Sequence, residues 1–334
     1  MLSGSTKTDS DKSWLKLVIR YVNPSVRSSV WQLVNTLVPY IILWILMAYA
    51  IRVSWWLVLP LAILASGFTV RLFIIFHDCG HGSFFKSKRA NDTLGIILGI
   101  LTFTPYHRWH HAHAIHHRTT GNLDKRGVGD VWTLTVDEYK KLSRKRQFMY
   151  RVYRNPFIMF GLGAGLVFLV MNRFTRRGFT RKERISVYVA NIGLALLATG
   201  ISLIIGFKSF LLIQIPVMYF AATAGVFLFY VQHQFPDVHW YRDKDWDYST
   251  VAINGSSYLK LPKVLQWFSG NIGFHHIHHL SSKIPNYKLE QCHRENEAFQ
   301  QVIPVTFISS MKSLSLRLWD ENRQQLVSYR QAAG

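Results

Sequence analysis

The sequence predicts an all-α integral membrane protein, with four transmembrane helices in two hairpins and a cytosolic helical cap that holds a two-metal site. Three observations predict it. Apolar residues gather into long runs, the charged residues between the runs are mostly basic, and histidine recurs at metal-ligand spacing in the segments between and after the runs.

Composition sets the class. Only 17% of the 334 residues are charged, against about 25% in an ordinary soluble domain, and the mean hydropathy is +0.10. The formal net charge is +21, from 39 Lys and Arg against 18 Asp and Glu. A nucleic-acid partner would account for that excess, and so would a membrane protein facing an anionic leaflet. The hydropathy decides for the membrane, and no nucleic-acid partner is expected. The two cysteines, Cys79 and Cys292, form no paired motif and read as inert thiols in a reducing compartment. The N-terminal stretch "MLSGSTKTDSDKSWLKLVIR" has no apolar signal-peptide core, so it is expected to stay in the cytosol.

Six apolar stretches run over residues 33–51, 55–76, 94–104, 156–171, 185–205 and 209–231. A spanning helix needs about 20 apolar residues. The third, "LGIILGILTFT", is too short, and the fourth, "PFIMFGLGAGLVFLVM", is short and interrupted by glycine. Charge supports the same count. The segment 172–184 carries six Lys or Arg and one Glu, so the positive-inside rule places it in the cytosol. The third and fourth stretches are therefore expected to be interfacial or re-entrant. Small outer loops fall near Arg52-Val53-Ser54 and Gly206-Phe207-Lys208.

The resulting division is a cytosolic segment (1–32), a first hairpin (33–76), a region with two histidine clusters (77–184), a second hairpin (185–231) and a cytosolic region with the third cluster and a C-terminal helix (232–334). That helix is expected from Phe307, Met311, Leu314 and Leu318, which recur at helical spacing after Pro304. Arg71, near the cytosolic end of the second stretch, is expected to snorkel toward the interface. The inner cell membrane is the expected location, with the histidines and both termini cytosolic.

The histidines carry the chemistry. "HDCGH" places His77 and His81 at i and i+4, on one helix face. "HRWHHAHAIHH" contains H-x-x-H-H twice, as His107, His110, His111 and as His113, His116, His117. "HHIHH" repeats the spacing as His275, His278 and His279. His233, in "FYVQHQF", brings the candidates to nine. One ion accepts at most about six ligands, so two ions are implied. Imidazole suits iron, zinc or copper. Structural zinc is satisfied by about four ligands and recruits thiolates, so a cluster this rich beside acyl chains favours redox chemistry with iron.

From about Leu57 to Cys292 the sequence resembles the membrane fatty acid desaturases, the histidine-box di-iron family. "HDCGHGSFF" is similar to their first box, "HAIHHRTTGNLD" to the second with its Thr-Gly-Asn continuation, and "NIGFHHIHHLSSKIPNYKL" to the third. The resemblance implies four membrane helices under a cap holding two Fe ions. It implies ligands His77, His81, His113, His116, His117, His275, His278 and His279. The additional family ligand matches His233 best, with His239 as competitor. Thr120, Gly121 and Asn122 follow His116-His117, which selects the second register. A helix turns about 100° per residue, so His110 lies close to the face of His117 and is a candidate supporting residue. His107 and His111 point elsewhere, to surface or headgroup contacts. Asp78, Asp124, Asp130, Asp237 and Asn271 are candidates for holding the imidazoles from behind, and His293 reads as structural.

The implied reaction is O2-dependent insertion of a cis double bond into the acyl chain of a membrane lipid. Electrons are then needed from outside. The chain shows no His-Pro-Gly-Gly haem motif and no G-x-G-x-x-G. A separate donor is expected, a ferredoxin or flavodoxin, with cytochrome b5 as the other class. A hydroxylase or ketolase of the same superfamily is the nearest competing reading. A histidine-rich metal transporter is the non-enzyme one, disfavoured because its path would need ionisable residues inside the spans.

Overall fold

The computed structural model of the chain describes Trp14 and residues 16–333. The cytosolic placement expected for the N-terminal stretch therefore falls mostly outside the described residues. Among the described residues, four helices are each long and apolar enough to cross a membrane. They are α1 (Val26–Val53) and α2 (Val58–His81), then, after the shorter α3 (Lys88–Leu101), α4 (Tyr106–Thr119) and α5 (Arg144–Tyr153), α6 (Arg181–Ile205) and α7 (Phe207–His233).

Each boundary has a local cause. Ser25 caps α1, its Oγ accepting from the Ser28 N–H at 3.3 Å. Thr180 and Glu183 cap α6 reciprocally in a capping box. α2 stops directly after His81 because Gly82 turns left-handed, with φ 65°, and returns its N–H to the Cys79 carbonyl. α1 begins two turns before its apolar stretch. Ser29 and Gln32 on those turns, and Thr36 on the next, face the protein interior and find polar partners there.

α2 is the central span and is covered on most sides, whereas α6 is almost wholly uncovered. Leu196, Leu203 and Ile204 of α6 are 70%, 83% and 81% exposed. Apolar side chains in such a contiguous array belong against lipid rather than water. Against α2, α1 and α7 pack through Met47, Ala62, Ala65, Ile213 and Val217. Small residues such as the two alanines let helices approach closely where lipid offers no hydrophobic gain.

Among the described residues, neither the third nor the fourth apolar stretch forms a single helix long and apolar enough to cross a membrane. α3 lies beside α2, and its Ser87 cap is followed by Lys88 and Arg89. The fourth stretch forms a π-helical segment over 157–170 that leaves α5 at a bend of 66°, the geometry of a broken span or of a re-entrant loop.

Arg71 does not snorkel. It is only 6% exposed, stacks over the Trp267 ring at 3.9 Å, and donates to Thr36 Oγ1 at 3.1 Å and to the Trp267 carbonyl. A polar cage within reach makes burial cheaper than extension to the interface.

Small sheets close the cap. β1 (Leu134–Thr135) pairs parallel to β4 (Leu318–Asp320), which pairs antiparallel to β5 (Gln325–Val327), while β2 (Tyr258–Lys260) pairs parallel to β3 (Pro304–Thr306). The expected C-terminal helix is accordingly cut short. It spans Phe307–Ser313, and Leu318 stands on β4, fully buried beside Trp319. Strand pairing with β1 outcompetes the helical spacing of the four apolar residues.

A tight contact between α3 and the following turn is testable. A Cβ on Gly99 would stand 2.5 Å from the Thr104 carbonyl oxygen, which is backbone and cannot swing away. Gly99→Ala should destabilise the detergent-solubilised protein by about 1–3 kcal/mol, seen as a lowered Tm in fluorescence-monitored unfolding.

Candidate metal centre

Four segments deliver nine imidazoles to one place. His77 and His81 end α2, and His113, His116 and His117 lie on the last two turns of α4. His233 ends α7, and His275, His278 and His279 form the short α8 (His275–Leu280). Within them, rings four residues apart share a face, while the ring at i+3 crosses to a second group.

The first group is His77, His81, His113, His117 and His278, whose ligand atoms lie within 4.8 Å of one another. His113 Nε2 is 3.1 Å from His81 Nε2 and 3.1 Å from His117 Nε2, and His278 Nε2 is 3.1 Å from His117 Nε2. The second group is His116, His233 and His279, joined by His275. His233 Nε2 is 3.1 Å from His116 Nε2 and 2.9 Å from His275 Nε2, and His275 Nε2 is 3.1 Å from His279 Nε2.

These spacings have a specific chemical meaning. With a metal–nitrogen bond of about 2.1 Å, two ligands at right angles stand about 3.0 Å apart. His116 Nδ1–H donates to Asp130 Oδ1 at 2.5 Å, and His233 Nδ1–H to the Gly255 carbonyl at 3.3 Å. Those bonds put the proton on Nδ1 and turn the bare Nε2 lone pair inward. Bare lone pairs facing one another repel unless a cation stands between them. Burial, reinforced by neighbouring imidazoles, holds His113, His117, His275, His278 and His279 well below the usual histidine pKa. Neutral imidazole is the form that binds metal. The residues present therefore fit two metal ions, one for each group.

The candidates for holding the rings from behind separate clearly. Asp130 meets His116. Asp78 Oδ1 is 3.4 Å from His77 Nδ1, and its Oδ2 accepts from the Asn286 N–H at 2.7 Å and Asn286 Nδ2 at 2.8 Å. Asn286 Oδ1 in turn accepts from Gln32 Nε2 at 2.7 Å, tying the end of α2 to α1. Asp124 pairs with Arg242 instead, and Asn271 Nδ2 donates to the Asn286 carbonyl. Asp237 offers its backbone carbonyl to His239 Nδ1, 3.0 Å away, so His239 stands outside both groups.

The first H-x-x-H-H register also stays out. His111 Nδ1 lies 2.9 Å from Glu183 Oε1, the His107 N–H donates to Ser186 Oγ at 3.0 Å, and His110 stacks on Tyr106. His293 packs against Tyr258 and Phe274. Sequence reasoning missed Gln32, Gly255 and Asn286, whose contacts join residues far apart in the chain.

Beside the histidines lies a cavity of about 290 Å³. Phe73, Trp109, Phe168, Met218, Ala222 and Phe229 line it, with His77, His113 and His275 on its wall.

A model of the fatty acid desaturase family matches residues 54–309. The chain belongs to the fatty acid desaturase family. All nine histidines fall within the matched region. A fatty acid desaturase of Bacillus subtilis (strain 168) is 49% identical over 329 residues, covering 98% of this chain and 94% of the relative. An sn-1 oleoyl-lipid 12-desaturase of Synechocystis is 27% identical, covering 71% of this chain and 68% of its own. An sn-1 acyl-lipid omega-3 desaturase (ferredoxin) of Nostoc is 29% identical, covering 84% and 78%. This desaturase is thus a membrane oxidoreductase with a histidine cluster able to bind metal.

The Asp130 contact gives a direct test. Asp130→Ala in the desaturase should weaken metal retention by the group containing His116 about 10–100-fold and leave the five-histidine group loaded. Metal content after graded chelation should then fall in two separated steps.

Proposed function

We propose that the enzyme holds two irons, one among His77, His81, His113, His117 and His278 and one among His116, His233, His275 and His279. With O2 it introduces a cis double bond into an acyl chain of a membrane lipid. The observation that carries this reading is the convergence of two sets of bare Nε2 atoms, each spaced for one ion, on the wall of an apolar cavity.

When bound, the irons supply the reductive activation of O2. Everything else falls to the chain. The balance is one O2, two electrons and two protons, with two hydrogens taken from adjacent methylenes, giving one C=C bond and two waters. A methylene offers no acidic proton, so no side chain is needed as general base. The cavity must instead hold one carbon pair beside His77, His113 and His275 and exclude water. Phe73, Trp109, Phe168 and Phe229 are suited to both tasks, being rigid and apolar.

The acyl-lipid substrate is supported by the relatives from Synechocystis and Nostoc, named for acyl-lipid substrates, and by a cavity formed among membrane helices. The electrons come from a separate protein, of the ferredoxin or flavodoxin class. One relative is named with ferredoxin, and the net charge of +21 would steer an acidic donor. The enzyme sits in the inner cell membrane in this reading, and the basic 172–184 segment with the positive-inside rule supports a cytosolic side for the histidines.

Lipid analysis of a host expressing the chain tests the reaction. His116→Ala and His278→Ala should each abolish the new double bond while the protein still inserts, and His107→Ala should keep most of it. Undiminished unsaturation in His278→Ala would overturn the site. Filling the cavity is a second test. Ala222→Phe should lower turnover about 100-fold by displacing the carbon pair, with iron content per chain unchanged.

A further inference from the structure

The turn after the π-helical segment gathers positive charge that no carboxylate neutralises among the described residues. Arg108, near the start of α4, donates from Nη1 to Asn172 Oδ1 at 2.7 Å, and its guanidinium stacks over the Phe179 ring at 5.1 Å. Phe179 closes a turn with Arg176, its N–H donating to the Arg176 carbonyl at 3.2 Å. Arg176 thus stands on the turn whose Phe179 ring the Arg108 guanidinium covers, and its charge is felt at Arg108. Arg173 adjoins them but is already committed, donating to the Phe103 carbonyl at 2.6 Å and to Asn191 Oδ1 at 3.0 Å.

Among the described residues, Arg108, Arg173 and Arg176 have no carboxylate within 4.0 Å. Glu183 is the one carboxylate whose field reaches Arg108, and it is held by the Thr180 N–H and hydroxyl and by His111. Burial and then Arg176 push the Arg108 pKa down, and burial and then Arg108 push Arg173 down to about 10. Each is the mark of a cation lacking a counter-charge.

The position of this cluster says what the missing anion is. Asn172, the partner of Arg108, also lines the cavity beside the histidines. The turn directly follows a segment whose Leu166 and Val170 are exposed apolar residues, so it stands where hydrocarbon gives way to headgroups. An anion placed there is attached to whatever chain fills the cavity. Guanidinium forks match the paired oxygens of a phosphodiester. We infer that Arg108 and Arg176 seat the phosphate of a glycerophospholipid whose acyl chain lies in the cavity, with Asn172 marking the junction of seat and cavity.

This inference rests on the acyl-lipid reading above. The test uses the iron-loaded enzyme with its electron donor in mixed micelles. The substrates are phosphatidylglycerol and a diacylglycerol with the same acyl chains. Arg176→Ala, and Arg108→Gln, which keeps an amide for Asn172, should each lower the ratio of kcat/KM for phosphatidylglycerol to that for diacylglycerol about tenfold. The loss should appear in KM rather than kcat. Unchanged iron content reports an intact fold. Equal losses on both lipids, or none on either, would overturn the seat while leaving lipid desaturation standing. If the wild-type enzyme desaturates neither lipid, the acyl-lipid reading fails and the seat falls with it.

Discussion

Nine imidazoles aimed at two points are the constraint on which the rest of this structure depends. Six pairs of their Nε2 atoms face one another at 2.9–3.1 Å, so the protein must hold in place an arrangement that a cation between the lone pairs would stabilise. It does so in part by fixing the ends of α2, α4 and α7 from behind. Asp130 and the Gly255 carbonyl hold rings directly, and the Gln32–Asn286–Asp78 chain ties the end of α2 to α1 and to the segment after α8.

Arg154 extends the same principle to the C-terminal region. It is 1% exposed and donates to Gln234 Oε1 at 2.8 Å, the Leu316 carbonyl at 3.1 Å, Thr133 Oγ1 at 3.3 Å and the Trp132 carbonyl at 3.2 Å. Gln234 follows His233, and Thr133 lies three residues beyond Asp130. One buried guanidinium therefore joins the end of α7, the loop bearing Asp130 and the strand region around Trp319. Tyr230 lies below it, 5.4 Å away. This explains why the small sheets, far from the membrane spans in sequence, belong to the support of the metal centre.

Legibility in the sequence follows the range of the interactions. The spans are readable because each is a property of one contiguous run, and the pairs His77/His81 and His113/His117 because i and i+4 lie on one helix face whatever surrounds it. The division of the histidines between two groups is not readable in this way. His116 leaves its neighbours for His233, and His278 leaves its own for His117, because α8 meets the ends of both α4 and α7. His233 stands alone with no motif, so only its place at the end of an apolar stretch and the resemblance single it out. Gln32 and Asn286 are 254 residues apart, and neither carries a local signal. Leu318 shows the opposite failure, a local helical signal overridden by a strand partner at Leu134.

The doubled H-x-x-H-H motif shows how the two kinds of information combine. Helix α4 runs unbroken from Tyr106, so both registers sit on one rigid rod. Its first turns are fixed to their neighbours. The Tyr106 hydroxyl donates to the Cys79 carbonyl at 2.9 Å, joining α4 to the helix that carries His77 and His81. The His107 N–H reaches Ser186, and His111 meets Glu183, joining α4 to α6. A rod held at one end against two other helices has no remaining freedom to roll, and a roll of one residue, about 100°, would carry His113 and His117 off their shared target. The first register therefore helps to mount the helix, and the second presents its rings to the centre. Repetition in the sequence is a division of labour along one helix rather than redundancy.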